Sequence, residues 1–480
     1  MMPTLFTILV GLCLGCDTSP APETTPPKAS PDVLIIVLDT VRADMMSTYG
    51  HKHPTSPQLD AIADAGVTFE DVTAPSSWTW PSHASLFTGK APWEHGAHAS
   101  IQAEGIGLAS GHWGLLAMRS DLPTMAEQFA AAGYRTVSVA SNRFLDPKLG
   151  LTRGFEVAET IPDRELAERI GAVLKEDDDR PLLMFVNILI AHAPWEVFPA
   201  SWSKPYGERL STAEKAPAWA EGYLMDAPGG LDFYRLRDGA DRGGFRQLMA
   251  GDISIPQDDM PIIEDLYTAG INAADFIMNR IVSQWMAHSP RGIVAVTSDH
   301  GEYLGEHGLW EHGKTVFTEV VDVPLVIAAP GRLPKGTRVS TPVQMQDLHD
   351  TLLALANIPG EHPHSLVPVA NGGPRNRPIQ AKAWASRPWK ESMGGIFAHD
   401  WSLYREGNKA LVFSSNGDRF LYDMATDRGM TKDLSASDPE TLADLWSRAE
   451  GAFKETAAST GSAEMSADMV EELKALGYLE

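Results

Sequence analysis

The chain of 480 residues has very few cysteines and fewer basic than acidic side chains. Its two cysteines, Cys13 and Cys16, lie near the N-terminus. Their position excludes a disulfide scaffold, a zinc–cysteine site and a cysteine nucleophile in the body of the protein. The 39 Lys and Arg residues against 63 Asp and Glu residues leave a net charge of −24. Because nucleic-acid binding requires a basic surface, we expect no nucleic-acid partner.

Long hydrophobic runs are also scarce, and the run at the N-terminus predicts a targeting signal. Residues 4–15 are apolar but too short to span a bilayer comfortably, and Cys16 follows directly. This pattern resembles a bacterial lipoprotein signal over residues 1–16, with plain secretion as the alternative. Residues 17–31 hold five prolines and no large apolar side chain, as expected of an extended tether. We therefore expect an exported, membrane-anchored lipoprotein of the cell envelope, held by a lipid on Cys16.

Strand and helix patterns alternate along the central part of the chain. The run VLIIVL at residues 33–38 is typical of a strand buried on both faces. Ser56 followed by Pro57 predicts the start of a helix. The alternation predicts an α/β fold with a large, mostly parallel sheet sandwiched by helices. Further strands are predicted at 134–140, 182–188, 293–297 and 324–328, and further helices at 122–129 and 345–355.

The pattern changes after about residue 365. Short antiparallel strands are predicted at 395–406, 409–414 and 419–424, and a helix at 467–476. We therefore expect a large domain over residues 32–364 and a smaller C-terminal α+β subdomain over 365–480. Within the large domain, residues 199–262 are rich in Pro, Gly and aromatic residues without a clear period. A segment of that length without regular structure predicts a substrate-side lid.

Several polar residues follow predicted strands or begin predicted helices. Asp39 directly follows the first strand, at the sheet edge where α/β folds bind ligands, and its carboxylate suits a hard cation. Thr79 lies at a predicted helix start, where backbone N–H groups favour an anion and a hydroxyl is placed to act as a nucleophile. Asp299 and His300 follow a later strand and offer an oxygen and a nitrogen to one cation. Each residue taken alone also fits an ordinary helix cap or loop.

A fourth stretch, residues 306–314, holds histidines and a lysine that suit oxyanion binding or proton transfer. Together with further stretches along the chain, these four resemble the sulfatase family of the alkaline-phosphatase superfamily, from about residue 32 to the C-terminus. The resemblance implies an α/β core with a small C-terminal domain, ester hydrolysis and a divalent metal beneath the nucleophile. The matching stretches are LDTVRADMMSTYG, TSPQLDAIADAGVTFEDVTAPSSWTWPSHASLFTGKAPWEHG, GYRTVSVASN, NILIAHAPW, TSDHGEYLGEHGLWEHGKTVF, VPLVIAAPG, LYDMATDRGMTKDL and LKALGYLE.

The resemblance also implies a role for individual residues of this chain. Thr79 occupies the nucleophile position of the Cys/Ser-x-Pro-Ser-Arg signature. Lys314 resembles the lysine that contacts the ester group, and His192 resembles the histidine near the leaving-group oxygen. His312 is the alternative proton donor. The implied metal ligands are Asp39, Asp299 and His300, and in the expected mechanism Thr79 holds the cation with them.

The sequence departs from the sulfatase pattern where the chemistry is most specific. Sulfatases convert a Cys or Ser to formylglycine, and the extra methyl group of Thr79 excludes that aldehyde. His83 replaces the signature arginine, and Thr40 stands where many sulfatases have a second Asp ligand. Asn142 and Arg143 stand where a Lys-x-His pair is expected. We take His83, Asn142 and Arg143 as substrate-binding candidates.

Threonine nucleophiles occur in related families that act on phosphorus, where the hydroxyl forms a phosphothreonine. We therefore expect an exported, metal-dependent hydrolase or transferase of phosphate or sulfate esters, with Thr79 as the nucleophile. The expected substrate is an anionic ester, glycan- or lipid-linked. Because Ile188 replaces an Asp of two-metal members, one divalent metal ion is expected, namely zinc, manganese or calcium. His192 or His312 would protonate the leaving alcohol.

The departures from the family pattern also support a second hypothesis. Substitutions at Thr40, Thr79 and His83 are compatible with a lipid-tethered binding protein that keeps the sulfatase fold without catalysis. The sequence keeps the metal-ligand candidates and Lys314, which argues against a loss of catalysis. Random substitution after such a loss would not be expected to leave all of them unchanged. Metal binding without turnover would favour this second hypothesis.

Overall fold

The computed structural model describes residues 30–100, 114–193, 248, 251, 254–385 and 395–454. The predicted signal (1–16), the tether up to residue 29, most of the predicted lid and the predicted helix at 467–476 lie outside these residues. Those features, and the domain boundaries drawn from the sequence, stay predictions.

Strands of the described residues fall into one large sheet and several small ones. In chain order they are β1 (Val33–Leu38), β2 (Val67–Phe69), β3 (Val72–Thr73), β4 (Ala99–Ser100), β5 (Gly114–Leu115), β6 (Arg135–Ala140), β7 (Val157–Thr160), β8 (Leu182–Ile188), β9 (Ile293–Thr297), β10 (Tyr303–Leu304), β11 (Trp310–Glu311), β12 (Leu325–Ala328), β13 (Thr337–Val339), β14 (Val343–Gln344), β15 (Ile379–Ala383), β16 (Trp401–Glu406), β17 (Lys409–Ser414) and β18 (Arg419–Asp423).

Helices of the described residues range from single turns to one long helix. The α-helices are α1 (Pro57–Ala65), α2 (Thr79–Thr88), α3 (Pro92–His95), α4 (Met125–Ala131), α5 (Asp163–Val173), α6 (Met260–His288), α7 (Thr318–Val321), α8 (Asp347–Leu355), α9 (Val367–Ala370) and α10 (Pro439–Ala449). Short 3-10 helices lie at Ala43–Met45, Ser47–Tyr49, Arg143–Leu145, Pro147–Leu149, Gln257–Asp259, Glu306–Gly308 and Gly395–Ala398. None of the described helices is both long and apolar enough to cross a membrane.

The large sheet has the strand order β13-β2-β12-β9-β1-β8-β6-β7. The run from β9 to β7 is parallel throughout. β12 runs antiparallel to both of its neighbours, β9 and β2, while β13 is parallel to β2. The sheet is therefore mostly parallel, as the alternation of strands and helices predicted. In such a sheet the carboxyl ends of neighbouring strands meet at one edge.

The central strand β1 shows why the sheet is covered on both faces. Val33, Ile35 and Val37 pack into one apolar cluster, and the alternate residues Leu34 and Leu38 pack into another. Side chains from α2, α4 and α8 fill the first cluster. Side chains from α1, α5 and α6 fill the second. Because both faces are buried, the strand reads as a continuous apolar run rather than as an alternating one.

The C-terminal part of the described chain forms a second, smaller unit. Strands β15 to β18 make an antiparallel sheet in sequence order, and α10 packs on it through Leu445, next to Leu411 and Leu421. Arg405 of β16 ties this sheet to the large domain by donating to both oxygens of Asp71, at 2.9 and 2.6 Å. The predicted fold class, a large α/β domain with a smaller α+β appendage, is confirmed.

Two elements begin at least three residues later than their patterns predicted. The helix predicted from residue 122 starts at Met125, because Thr124 caps it: the Glu127 N–H donates to the Thr124 hydroxyl at 3.1 Å, and Glu127 accepts from the Thr124 N–H at 2.8 Å. The strand predicted from residue 395 starts at Trp401, since residues 395–398 form a 3-10 turn.

Candidate active site

Polar residues from distant parts of the sequence meet at the carboxyl edge of the large sheet. Asp299 follows β9, Asp39 follows β1, His192 follows β8 and Asn142 follows β6, and these strands are neighbours in the sheet. Thr79 joins them from the first position of α2. All five side chains are buried. The structure therefore brings together the main site residues predicted from the sequence.

Asp39 is held by one carboxylate oxygen. Its Oδ2 atom accepts hydrogen bonds from the side-chain amides of Asn142 and Asn187, each at 2.9 Å. Its Oδ1 atom is buried and has no hydrogen-bond partner. Burial, together with the nearby charge of Asp299, raises the pKa of Asp39 to about 6. This carboxylate therefore has one oxygen available for a cation.

Asp299 shows the same arrangement. Its Oδ1 atom accepts from the backbone N–H groups of Thr40 and His300, at 3.2 and 3.0 Å, while its buried Oδ2 atom has no hydrogen-bond partner. Burial raises the pKa of Asp299 to about 7. His300 Nδ1 lies 2.9 Å from the carbonyl oxygen of Gly301, which can only accept. Nδ1 therefore carries the proton, and Nε2 keeps a lone pair.

Asp39, Asp299 and His300 form the candidate metal centre. Each offers one ligand atom, and these atoms lie within 4.8 Å of one another. Two carboxylates buried side by side are costly without a cation, and each has an oxygen without a hydrogen bond. Oxygen and imidazole donors fit a divalent metal, with zinc, manganese and calcium all compatible. The residues present therefore fit the metal that the sequence predicted.

Thr79 directs its hydroxyl toward this centre. Thr79 Oγ1 lies 3.4 Å from His300 Nε2 and accepts from the Asn142 side-chain amide at 3.3 Å. The residue before it, Trp78, provides no side-chain cap for α2. The N–H groups of the first turn therefore have no capping side chain, and a helix N-terminus of this kind attracts an anion.

His83 lies one helical turn after Thr79 and is fully buried. Its Nδ1–H donates to the Thr79 carbonyl oxygen at 3.0 Å and lies 3.5 Å from Asp299 Oδ2. Burial lowers the pKa of His83 to about 3, so the ring is neutral at physiological pH. The side chain that replaces the family arginine therefore lies against Asp299 without bringing a positive charge.

His192 and His312 lie beside the metal-ligand candidates. The His312 ring centre is 4.4 Å from that of His300 and 5.0 Å from that of His192. His192 Nδ1 donates to the carbonyl oxygen of Ala193, and His312 Nδ1 donates to Glu302 at 3.0 Å. The bond to a carbonyl oxygen, which can only accept, sets the tautomer of the neutral His192 ring, with Nε2 as the basic nitrogen. Burial lowers the pKa of each histidine.

Lys314 and Arg143 are the two cationic residues predicted to contact the substrate. Lys314 donates to Glu311 at 2.5 Å and to the carbonyl oxygens of Trp310 and His312, at 3.3 and 3.0 Å. The ammonium group of Lys314 is therefore hydrogen-bonded to three oxygen atoms of its own loop. Arg143 begins a 3-10 turn and is partly exposed. The substrate contacts of both residues stay predictions.

Sequence reasoning missed two residues of this site. Asn187 is the penultimate residue of β8, and its amide holds Asp39. The signal was available, because a polar residue near the carboxyl end of an apolar strand is unusual. Glu302 is almost fully buried and accepts from His312. No local pattern marks that pair, since the two residues are ten positions apart and meet only through the turn between β10 and β11.

The chain matches the family model named Sulfatase over residues 31–358. The chain belongs to the sulfatase family. The resemblance drawn from the motifs is thereby confirmed, and so is the assignment to the alkaline-phosphatase superfamily. At the level of the family, the prediction of an ester hydrolase is confirmed as well.

Curated relatives of this sulfatase-family chain are distant. A protein of Formosa agariphila named sulfatase is 22% identical over 408 residues, which cover 74% of this chain and 75% of that protein. Human iduronate 2-sulfatase is 25% identical over 353 residues, which cover 63% of this chain and 60% of the human enzyme. The chain therefore matches less than two thirds of the length of the human relative.

Solved structures share the fold. The phosphonate monoester hydrolase of Agrobacterium radiobacter superposes with a TM-score of 0.64 at 20% identity, covering 88% of this chain and 94% of that chain. A protein in complex with its substrate D-glucosamine-2-N,6-O-disulfate superposes with a TM-score of 0.64 at 18% identity, covering 89% and 99%. At these sequence identities the similarity shows that the fold is shared and nothing more specific.

Proposed function

We propose that this sulfatase-family protein is a metal-dependent hydrolase of phosphate or sulfate esters in which Thr79 is the nucleophile. The observation that supports the proposal best is the position of the Thr79 hydroxyl. It lies at an uncapped helix N-terminus, 3.4 Å from His300 Nε2, beside two carboxylates that each have a free oxygen. An anionic ester, a cation and a nucleophile all fit at that point.

Asp39, Asp299 and His300 would hold the cation, with Thr79 beside them. A divalent cation bound there would lower the pKa of the Thr79 hydroxyl and neutralise charge on the ester. The first turn of α2 would bind ester oxygens through its backbone N–H groups. Asn142, which donates to Asp39 and to Thr79, would keep the hydroxyl aligned.

The reaction would then take two steps at Thr79. Thr79 loses its hydroxyl proton to solvent, its Oγ1 atom forms a bond to phosphorus or sulfur, and the bond to the ester oxygen breaks. His192 or His312 protonates the departing alcohol, since the negative charge of the substrate favours their protonated forms. The same histidine, now neutral, takes a proton from water as the water attacks the covalent intermediate, and Thr79 leaves and regains its proton from solvent. An acceptor alcohol in place of water would make the protein a transferase.

Both phosphorus and sulfur substrates have support among the similar structures. One is named a phosphonate monoester hydrolase, and another binds a disulfated glucosamine. Threonine cannot be converted to formylglycine, and a free hydroxyl is better suited to attack at phosphorus. We therefore propose a phosphoester first and a sulfate ester second, carried by a glycan or a lipid.

The test is intact mass spectrometry of the full chain after brief incubation with an aryl phosphate, an aryl phosphonate monoester or an aryl sulfate. We expect a covalent adduct in the wild type and in Thr79→Ser, and none in Thr79→Ala. Thr88→Ala is the matched control, because Thr88 ends the same helix and its hydroxyl bonds to the backbone of Ala84 and Lys90 rather than to the site. This control should keep the adduct.

Two results would contradict the proposal. Equal turnover in the wild type and Thr79→Ala, without an adduct, would show that Thr79 is not the nucleophile. Bound metal without adduct or turnover on any of the esters would favour the non-catalytic binding protein instead.

We further propose that the protein is exported and anchored through a lipid on Cys16. The apolar run at residues 4–15 and the proline-rich segment after it support this proposal. In a bacterial host, the wild type should partition with membranes and incorporate labelled fatty acid. Cys16→Ser should lose the label, and Cys13→Ser should keep it. If neither the wild type nor Cys13→Ser incorporates the labelled fatty acid, the protein is not lipidated and plain secretion is the explanation.

A further inference from the structure

Thr40 has an unusual backbone conformation next to the metal-ligand candidate Asp39. Its φ angle is +59°, in the left-handed region. A β-branched residue rarely adopts this region, because its Cβ atom crowds the backbone. Thr40 is also fully buried. A strained residue of this kind persists only where the surroundings hold it.

Tyr267 of α6 holds Thr40 in place. Its hydroxyl donates to the Thr40 carbonyl oxygen at 2.5 Å and accepts from the Arg42 backbone N–H at 2.9 Å. The tyrosine is fully buried. One hydroxyl therefore bridges a C=O and an N–H group on the two sides of the turn that follows β1.

The conformation of Thr40 in turn orients Asp299. The Thr40 N–H donates to Asp299 Oδ1 at 3.2 Å, which leaves Oδ2 for the metal centre. The Thr40 hydroxyl donates to the carbonyl oxygen of Asp39 at 2.7 Å. Because this hydroxyl is engaged with the backbone, Thr40 contributes to the site through its amide rather than as a replacement for a second Asp ligand.

We propose that Tyr267 is a positioning residue for the metal centre. Its hydroxyl keeps Thr40 in the left-handed conformation, and the Thr40 amide then fixes the carboxylate of Asp299. The inference rests on the metal binding that forms part of the proposed function. It assigns a role to a side chain from the long helix α6, which supplies none of the metal-ligand candidates.

The test compares metal affinity in full-length variants by isothermal titration calorimetry with Mn²⁺, Zn²⁺ and Ca²⁺ in separate titrations. Loss of a partner that orients a ligand typically weakens metal affinity by about 10- to 100-fold, and we expect this of Tyr267→Phe. Tyr49→Phe is the matched control. The Tyr49 hydroxyl likewise accepts from the Leu325 N–H at 2.7 Å and donates to the Leu325 carbonyl oxygen at 3.2 Å, away from the metal centre. Its metal affinity should equal that of the wild type.

A second substitution tests the backbone argument. Glycine adopts positive φ without strain, so Thr40→Gly should restore most of the metal affinity when added to Tyr267→Phe. Thr40→Gly alone should bind metal nearly as well as the wild type. If Tyr267→Phe does not fold, the variant Thr40→Gly decides. The proposal would be overturned if Thr40→Gly lost as much metal affinity as Asp299→Asn does.

The remaining outcomes separate this inference from the proposed function. If the wild type binds none of the three metals, both are wrong. If the wild type binds metal and Tyr267→Phe binds it equally well, only the positioning role is wrong. Equal losses in Tyr267→Phe and Tyr49→Phe would also overturn it, because they would indicate a general loss of stability.

Discussion

At the scale of single residues, the site uses neutral side chains next to its buried acids. Asn142 and Asn187 hold Asp39 through amide groups, and His83, whose pKa burial lowers to about 3, lies beside Asp299. Neutral partners satisfy hydrogen bonds without cancelling negative charge. The two carboxylates therefore keep the charge that a divalent cation needs.

One prediction at this scale concerns Asn187. Asn187→Ala removes a donor to Asp39 and the acceptor for the Asn142 N–H at 3.0 Å. We expect metal affinity, measured by calorimetric titration, to fall by about 10- to 100-fold. Asn371→Ala is the control, because the exposed Asn371 bonds only to a carbonyl oxygen of its own short helix. Unchanged affinity in Asn187→Ala would show that the amide does not orient Asp39.

At the scale of elements, helix α1 is capped from another helix. The sequence predicted its start at Pro57, which is confirmed, but the preceding Ser56 makes no capping hydrogen bond. Instead Asp275 of α6 accepts from the N–H groups of Gln58 and Leu59, at 2.9 and 3.0 Å. Two helices on the same face of the sheet are thereby joined at a buried carboxylate.

The prediction at this scale is that Asp275→Ala lowers the free energy of unfolding by about 1–2 kcal/mol. The substitution leaves two N–H groups at the start of α1 without an acceptor. Chemical denaturation followed by circular dichroism measures the change. Asp64→Ala, on the exposed side of the same helix, should stay within about 0.5 kcal/mol of the wild type. Equal effects of the two substitutions would contradict the capping role.

At the scale of the whole molecule, the parallel sheet brings the buried carboxylates of Asp39 and Asp299 together at its carboxyl edge. Burial raises the pKa of Asp39 to about 6 and that of Asp299 to about 7. The unfolded chain binds fewer protons at these groups than the metal-free folded chain between about pH 4 and pH 7. The metal-free protein therefore loses stability as the pH rises through this window.

The prediction at this scale is a contrast between metal-free and metal-loaded protein. By calorimetry between pH 5 and pH 8, the chelator-treated chain should lose stability relative to the loaded chain as the pH rises. A bound cation reverses the sign, because it favours the charged carboxylates. The variant Asp39→Asn with Asp299→Asn should lose this difference. Parallel pH profiles of the two wild-type forms would contradict the proposed metal centre.

Much of this fold could be predicted because the strands and helices are marked by local patterns of apolar and polar residues. The strands at Val33–Leu38, Leu182–Ile188 and Ile293–Thr297 were predicted with their observed bounds, since a strand buried on both faces must be apolar along its whole length. The motif positions Asp39 and Thr79 could be predicted because they adjoin such elements. Element starts that depend on capping, as at Thr124, were less accurate.

By itself, the sequence determined the family, the buried strands and the identity of the candidate metal ligands. Only the tertiary structure decided how those ligands are held. The bonds from Asn187 to Asp39 and from Tyr267 to Thr40 join residues 148 and 227 positions apart. No local periodicity records such pairs, because they exist only once the strands have paired and α6 has packed against the sheet.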